Sequence, residues 1–491
     1  MAGQSRSAGT SVARMPGVDI AGILGTWSRG DRPLYRQLAD ALRDAIDRRD
    51  LPPGARLPSE RELARLLVIS RTTVSGAYEA LKAEGYLESR QGSATRVSTA
   101  DDMAHHEAVA GKGLPGLALF WRRGLESEVI NLTRSGFRGF RDLPPDVATF
   151  DASEFRDLID DSVGYSPEGL PELRLEIARW MTQNQLPTSP EQVLVTSGAQ
   201  QAISLLTTVY LRPGLGVILE NPTYYGAIDS FRWADARLLP VSIGPHGPDL
   251  DHVEDLIAHR SPSMAYFTLS FHNPTGAVAS DAIRRRLAAI AETNGLLVID
   301  DLELAWHYVD RPPPPPLAAY SDAENIVSVA SMSKMFWAGL RVGWIRADPD
   351  VLARVARAKI VADLGSSLPA QLIAARMLQR GAEIAATRRM QLAIGRQALE
   401  DALAEALPDW TYEPPSGGVF LWLRLPFGDG VEMSQLAERY GVLVQPGATL
   451  SVDGMFNDYV RIPFVEHPDT IRIGIARLAR AWAAYGRWRR R

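Results

Sequence analysis

No cysteine occurs in the 491 residues of this chain, which excludes disulfides, cysteine metal sites and thiol catalysis. Lysine is almost missing as well. Lys82, Lys112, Lys334 and Lys359 are the only four among 53 basic residues. No uninterrupted apolar run is long enough to span a bilayer, and the N-terminus lacks the apolar core of a signal peptide. A cytoplasmic protein with no membrane partner is therefore expected. The one adjacent histidine pair, His105 and His106, has no partner ligands at useful spacing, so no metal site is expected.

What remains is ordinary globular material, 46% hydrophobic and 23% charged, enough for roughly two to four domains of about 150 residues each. The formal charge is −5. Its distribution is uneven: Arg29 to Thr99 holds 13 basic against 10 acidic residues, leaving −8 for the rest. A slightly basic head on an acidic body suits a head that meets phosphates.

Within that head, Leu34, Leu38, Leu42 and Ile46 fall on one helical face, and Pro52-Pro-Gly ends the helix. Ser59-Glu-Arg-Glu62 reads as a capping box opening a second helix with Leu63, Leu66 and Leu67 inward. After the break Val68-Ile69, Ser70 caps a third helix. Its first turn exposes Arg71, Thr72 and Thr73, while Val74, Tyr78 and Leu81 face the core. Two helices joined by a short turn, the second presenting Arg and Thr at its start, form a helix-turn-helix. Gly85 to Val97 then reads as a two-stranded wing with Gly92 at its tip and Arg90 and Arg96 beside it.

Residues 1–28 are expected to be partly disordered, 29–98 to form the head, 99–125 to be a linker and 126–491 the body. In the body, apolar runs Val193–Thr196, Val217–Glu220, Met264–Leu269, Leu296–Asp300 and Ile326–Ala330 alternate with amphipathic helical stretches. This is the α/β pattern of a mostly parallel sheet. The large part should cover about 160–370. A smaller α+β part should take about 371–491 together with the segment before 160. Prolines 312–316 form a stiff loop between two strands, read as a spacer.

An arginine-preferring chain has kept a primary amine at Lys334, in Ser331-Met-Ser-Lys-Met-Phe-Trp-Ala-Gly-Leu-Arg341. Lysine condenses with an aldehyde once burial lowers its pKa, which arginine cannot do. That pattern suits pyridoxal 5'-phosphate, whose other needs can be sought separately. Asp300, at a strand end, is placed to hold the proton on the pyridine nitrogen. Ser197-Gly198-Ala199-Gln200 opens a helix whose N–H groups would cradle the phosphate, with Ser331, Ser333 and Arg341 completing the cradle. Asn273, in His-Asn-Pro-Thr-Gly, would donate to the phenolic oxygen, and Tyr224 would stack on the ring.

The head resembles the winged helix of the GntR family through Leu57-Pro-Ser-Glu-Arg-Glu-Leu-Ala64, Ser70-Arg-Thr-Thr-Val74 and Leu81-Lys-Ala-Glu-Gly-Tyr-Leu87. The resemblance implies that Arg61, Arg71, Thr72 and Thr73, with the cap residues Ser59 and Ser70, meet the major groove of operator DNA. It implies that Arg90, Gln91, Gly92 and Ser93 enter the minor groove.

Residues 130–485 resemble the fold-type I aminotransferases, including a substrate-loop segment at Tyr165-Ser-Pro-Glu-Gly-Leu-Pro-Glu-Leu-Arg. That implies a Schiff base between Lys334 and the cofactor, and a fork from Arg461 to a substrate carboxylate. Arg472 is the alternative. One departure stands out: many relatives place a phenolic donor two or three residues after the aspartate, where this chain has Leu302 and Glu303. Its loss bears on turnover more than on cofactor binding.

A GntR-type head fused to an aminotransferase-like body resembles the MocR subfamily of bacterial regulators. The implied fold is multi-domain: a winged helix-turn-helix, an α/β fold-type I body and a smaller α+β C-terminal subdomain. The implied protein is a head-to-tail homodimer whose effector is the cofactor itself or an amino compound displacing Lys334. The alternatives are an active class I/II aminotransferase with an accessory head, and a ligand sensor without cofactor.

Overall fold

The computed structural model describes residues 20–25, 27–28, 32–48, 50–89, 94–98, 129–137, 152–160 and 163–490. The wing-tip residues Arg90, Gln91, Gly92 and Ser93, and the stretch 99–125 with His105 and His106, lie outside the described residues. The chain forms two compact units, Met1–Leu125 and Glu126–Arg491.

In the first unit a short buried helix, Ile20–Leu24, precedes helices Leu34–Asp47, Glu60–Leu66 and Arg71–Ala83. Leu38 and Leu42 of the expected stripe are fully buried beside Leu63, Val74, Tyr78 and Leu81, whereas Leu34 and Ile46 are half-buried. Arg43 bonds Asp40 at 2.7 Å and Glu84 at 2.6 Å, fastening the first long helix to the end of the third. The turn between the second and third helices passes through Val68 at φ 52°, a left-handed position that a β-branched residue rarely takes. Strand β1 (Leu87–Glu88) pairs antiparallel with β2 (Arg96–Val97), and Arg96 Nη1 ties this wing to Gly54 O at 3.0 Å.

The second unit opens with β3 (Ile130–Leu132). It continues through β4 (Val193–Thr196), β5 (Gly216–Asn221), β6 (Arg237–Gly244), β7 (Gly247–Pro248) and β8 (Met264–Phe267). Then follow β9 (Leu297–Asp301), β10 (Ile326–Ser331) and β11 (Gly343–Arg346). These form an eight-stranded sheet in the order β4-β11-β10-β9-β8-β5-β6-β7. The central run from β10 to β6 is parallel, while β11 is antiparallel to both its neighbours.

Alternate residues face opposite sides, as the two-residue period of a strand requires. Val195, Val298 and Trp344 join one core, while Leu194, Ile299 and Ile345 join the other. Both faces are therefore covered, which is why these strands read as continuous apolar runs.

A second sheet is built from β12 (Phe420–Arg424), β13 (Val442–Pro446) and β14 (Tyr459–Pro463), in the order β12-β14-β13-β3. Strand β3 runs parallel to β13, so an early segment completes a late sheet. Helices Gly381–Ala406 and Pro468–Arg489 pack together beside it. No helix among the described residues is long and apolar enough to cross a membrane. None of their His, Asp and Glu residues cluster in groups that could hold a metal.

Candidate functional site

Lys334 lies just past the end of β10, in a single π-turn, Ser333–Trp337. Such wide turns favour functional positions because they re-aim one side chain. Its Nζ donates to Ser135 Oγ at 2.5 Å. Burial pushes the amine below the ordinary lysine value. Glu303 and then Asp301 oppose that shift, and Arg461 adds to it. Ser331 Oγ donates to Ser333 Oγ at 2.8 Å and accepts from Ser333 N at 3.0 Å, so the two hydroxyls are fixed relative to each other.

The segment Ser197–Gln200 brings a helix start to the same end of the sheet. Gly198 precedes helix Ala199–Tyr210 at φ 127°, and a Cβ there would stand 3.2 Å from Arg341 Nη2. A bare glycine beneath a guanidinium at a helix N-terminus is an anion cradle. Gly343 on β11 makes this closeness possible, since a Cβ there would stand 2.7 Å from the Gly198 Cα. The N–H of Ser197 is already taken by Gln201 Oε1 at 2.7 Å. The Gln200 side chain turns away to Gly226 O and Ser230 Oγ.

The two neighbouring aspartates of β9 differ. Both oxygens of Asp301 are taken, Oδ2 by the Tyr266 hydroxyl at 2.7 Å and Oδ1 by Glu303 N at 2.9 Å. Asp300 accepts from Leu317 N at 2.8 Å through Oδ2, while its buried Oδ1 has no hydrogen-bond partner. Burial pushes the Asp300 carboxyl up, and the charge of Arg284 opposes this.

Arg461 on β14 is buried, with Nη1 on Asn273 Oδ1 at 2.8 Å, Nη2 on Thr133 O at 3.4 Å and the guanidinium 4.0 Å above the Phe420 ring. Burial lowers it to about 10, so it keeps its charge at neutral pH. Arg472 is exposed and paired with Asp469 at 2.8 Å on the last helix. Tyr224 stands 5.1 Å from Tyr225, ring to ring, and burial pushes its hydroxyl well above the ordinary value, with Glu303 and Asp301 adding to this.

Lys334, Arg461 and Asn273 are thus brought together, with Ser135 and Thr133 supplied by the chain just after β3. Neither Ser135 nor Thr133 carries a motif, and only the pairing of β3 with β13 delivers them. Arg284, whose charge acts on Asp300, was likewise hidden, in a run of three arginines on an amphipathic helix.

In the head, Ser59 Oγ accepts from Glu62 N at 3.2 Å, which is one half of the expected capping box; the reciprocal bond from Glu62 does not form. Ser70 Oγ accepts from Thr73 N at 3.1 Å and bonds the hydroxyls of Thr72 and Thr73. Arg61, Arg71 and Thr72 are exposed, and Arg71 Nε reaches Glu60 Oε2 at 3.1 Å. The first turn of the third helix therefore presents N–H groups, hydroxyls and a guanidinium to solvent, the set a DNA phosphate or base edge would meet.

Fold and sites define a protein with a helix-turn-helix head and an aminotransferase-type body. Residues 34–97 match the bacterial regulatory proteins of the gntR family, and residues 127–478 match aminotransferase class I and II. The chain belongs to the class I and II aminotransferase family, and with its gntR-type head it has the architecture of the MocR subfamily.

It is 29% identical over 486 residues to the probable rhizopine catabolism regulatory protein MocR of Rhizobium meliloti, covering 92% of this chain and 94% of that protein. It is 34% identical over 325 residues to a 2-aminoadipate transaminase of Thermus thermophilus, covering 65% of this chain and 81% of that one. Among solved structures it resembles LysN, the alpha-aminoadipate aminotransferase of Thermus thermophilus, with a TM-score of 0.68 and 30% identity. That likeness covers 74% of this chain and 94% of LysN, whose structure holds N-(5'-phosphopyridoxyl)-L-leucine.

Proposed function

We propose that this protein is a cytoplasmic, DNA-binding transcription regulator whose body holds pyridoxal 5'-phosphate on Lys334 and responds to the cofactor or to an amino compound. The observation that carries the reading is Lys334 itself. It is a half-buried, pKa-lowered amine beside a phosphate-type cradle, in a chain with a well-formed helix-turn-helix.

The residues present fit the cofactor. Asp300 Oδ1 is a buried acceptor with no partner, as a pyridine N–H would require. Gly198 and Arg341 leave room and charge for a phosphate. When bound, pyridoxal phosphate supplies an aldehyde that condenses with amines and a ring that withdraws electrons.

The chain's own residues do the rest. Lys334 gives up its proton to become nucleophilic, with Ser135 Oγ orienting its lone pair. Ser331, Ser333 and the backbone of Gly198, Ala199 and Gln200 would line the phosphate end, and Ser197 would join them once its N–H leaves Gln201. Asn273 would donate to the phenolic oxygen, and Tyr224 would stack on the ring. Arg461 receives the carboxylate of an amino acid, and its buried Nε, which has no partner, is a further donor. Leu302 is a buried alkyl side chain and Glu303 a carboxyl, so neither supplies the phenolic donor of an efficient transaminase. This favours sensing over turnover.

In the head, Arg61, Arg71, Thr72 and Thr73, with Ser59 and Ser70 holding the helix starts, meet operator DNA. A head-to-tail homodimer belongs to the same proposal. Val163, Tyr165, Ile360 and Val361 on the body are exposed apolar residues that a second copy would cover.

The test joins spectroscopy to DNA binding. The purified protein with pyridoxal phosphate should show a visible band that Lys334→Ala lacks. Adding cofactor or amino compound should change operator affinity roughly tenfold, a coupling of about 1.4 kcal/mol. Lys334→Ala should keep the basal affinity and lose the response. Sustained conversion of amino acid and keto acid at ordinary enzyme rates would instead support the transaminase reading.

A further inference from the structure

Arg284, in the first turn of helix Asp281–Asn294, is fully buried. A guanidinium out of water is tolerated only when its donors are met. Here Nε donates to Ala279 O at 3.1 Å, Nη1 to Pro315 O at 3.0 Å, and Nη2 to Leu269 O at 2.7 Å and Ser270 Oγ at 2.9 Å. None of these acceptors is charged. The acid that acts on Arg284 most is Asp300, and Arg284 is in turn the charge that acts most on Asp300.

The gripped segments are those that build the underside of the site. Leu269 and Ser270 form the neck of the loop carrying His272 and Asn273, closed by Ala279 N on Leu269 O at 2.9 Å. Pro315 belongs to the run of five prolines, and two residues later Leu317 N donates to Asp300 Oδ2 at 2.8 Å. Prolines fix φ and offer no N–H, so a carbonyl in such a run stays where it is put. Pro316 and Leu317 are buried, as a mere surface spacer would not require. One guanidinium therefore braces the Asn273 loop and, through the stiff proline run, the donor that orients Asp300.

We infer that Arg284 is a positioning residue for the cofactor: together with the proline run it fixes the Asp300 carboxylate so that Oδ1 points free, and it locks the Asn273 loop to the same frame. This rests on the reading that Asp300 meets the pyridine nitrogen. The expected sign follows from the charge. Without Arg284, burial and Glu220 act on Asp300 with only backbone N–H groups opposing them, so the carboxyl holds its proton more tightly and pairs less well with a protonated ring.

Four cofactor-loaded proteins test it: the parent, Arg284→Met, Asp300→Asn and the double variant. Each is measured for visible absorption maximum, rate of cofactor release and melting temperature. Arg284→Met should move the band toward that of Asp300→Asn and speed release roughly tenfold. In the Asp300→Asn background it should add less than about twofold, because its effect runs through Asp300. Equal losses in both backgrounds, as general loosening would give, overturn the inference. So does a folded Arg284→Met with the parent's band and release rate.

If Arg284→Met does not fold, Arg284→Lys keeps the charge and loses the fork. Faster release that vanishes in the Asp300→Asn background then supports the inference, and unchanged release overturns it. A parent with no band dependent on Lys334 overturns the cofactor reading, and this inference with it.

Discussion

At the residue scale the chemistry turns on how few groups act on Lys334. Burial lowers its pKa, and Glu303 is the first charge to oppose that. The neutral, nucleophilic fraction of the amine therefore rises with pH, through a midpoint below the ordinary lysine value. Replacing Glu303 by Gln removes the opposing charge and should move that midpoint further down. Stopped-flow capture of pyridoxal phosphate by cofactor-free protein, followed between pH 6 and 10, would show the Glu303→Gln profile displaced toward acid relative to the wild type. Superimposable profiles would remove Glu303 from the account. Arg461 and Asp301 are the other charged groups acting on the amine, and Arg461 is untouched in the variant. Asp301, which burial and Glu303 push up to about 7, ionises more readily without Glu303 and offsets part of the shift.

At the element scale much was legible because single segments carried their own signals. The runs 193–196, 217–220 and 326–330 emerge as β4, β5 and β10 within a residue at each end. The run expected to reach Leu269 stops as a strand at Phe267, where the chain turns to place Thr268 N on Glu220. Strand β6 was not foreseen: Pro240 interrupts its pattern, and a proline is tolerated there because β7 pairs only with the far end of the strand. Strand β3 was equally hidden, since three residues far from their partner leave no local trace.

Of the site, Lys334, Asp300 and Asn273 lay in motifs. Ser135, Thr133 and Arg284 act through contacts made across about 200, 330 and 15 residues of chain, which a linear pattern does not record. In the head the cap was readable. Replacing Ser70 by Ala removes the acceptor for Thr73 N and should cost about 1 kcal/mol of head stability. The same change loosens the turn bearing Arg71, so operator affinity should fall while the visible band stays unchanged. Chemical denaturation and a gel-shift titration on one preparation would check both.

At the scale of the whole molecule, a regulator of this kind needs its ligand to prefer one arrangement of the chain over another, because equal affinity for both shifts nothing. The stretch 99–125, expected from the sequence to be a linker, is where such coupling can be tested. Lengthening it by about ten Gly/Ser residues should preserve the band and the basal operator affinity. The ligand-induced change in affinity should shrink, because a slack linker transmits less. Binding isotherms with and without pyridoxal phosphate would measure this directly.

Strand β3 gives that expectation its mechanical form. The residues of β3 pair with β13, and the next few supply Thr133 O to Arg461 and Ser135 Oγ to Lys334. The chain just after β3 thus meets Arg461 first and then Lys334. A ligand that bonds either group is therefore expected to displace the few residues that follow β3.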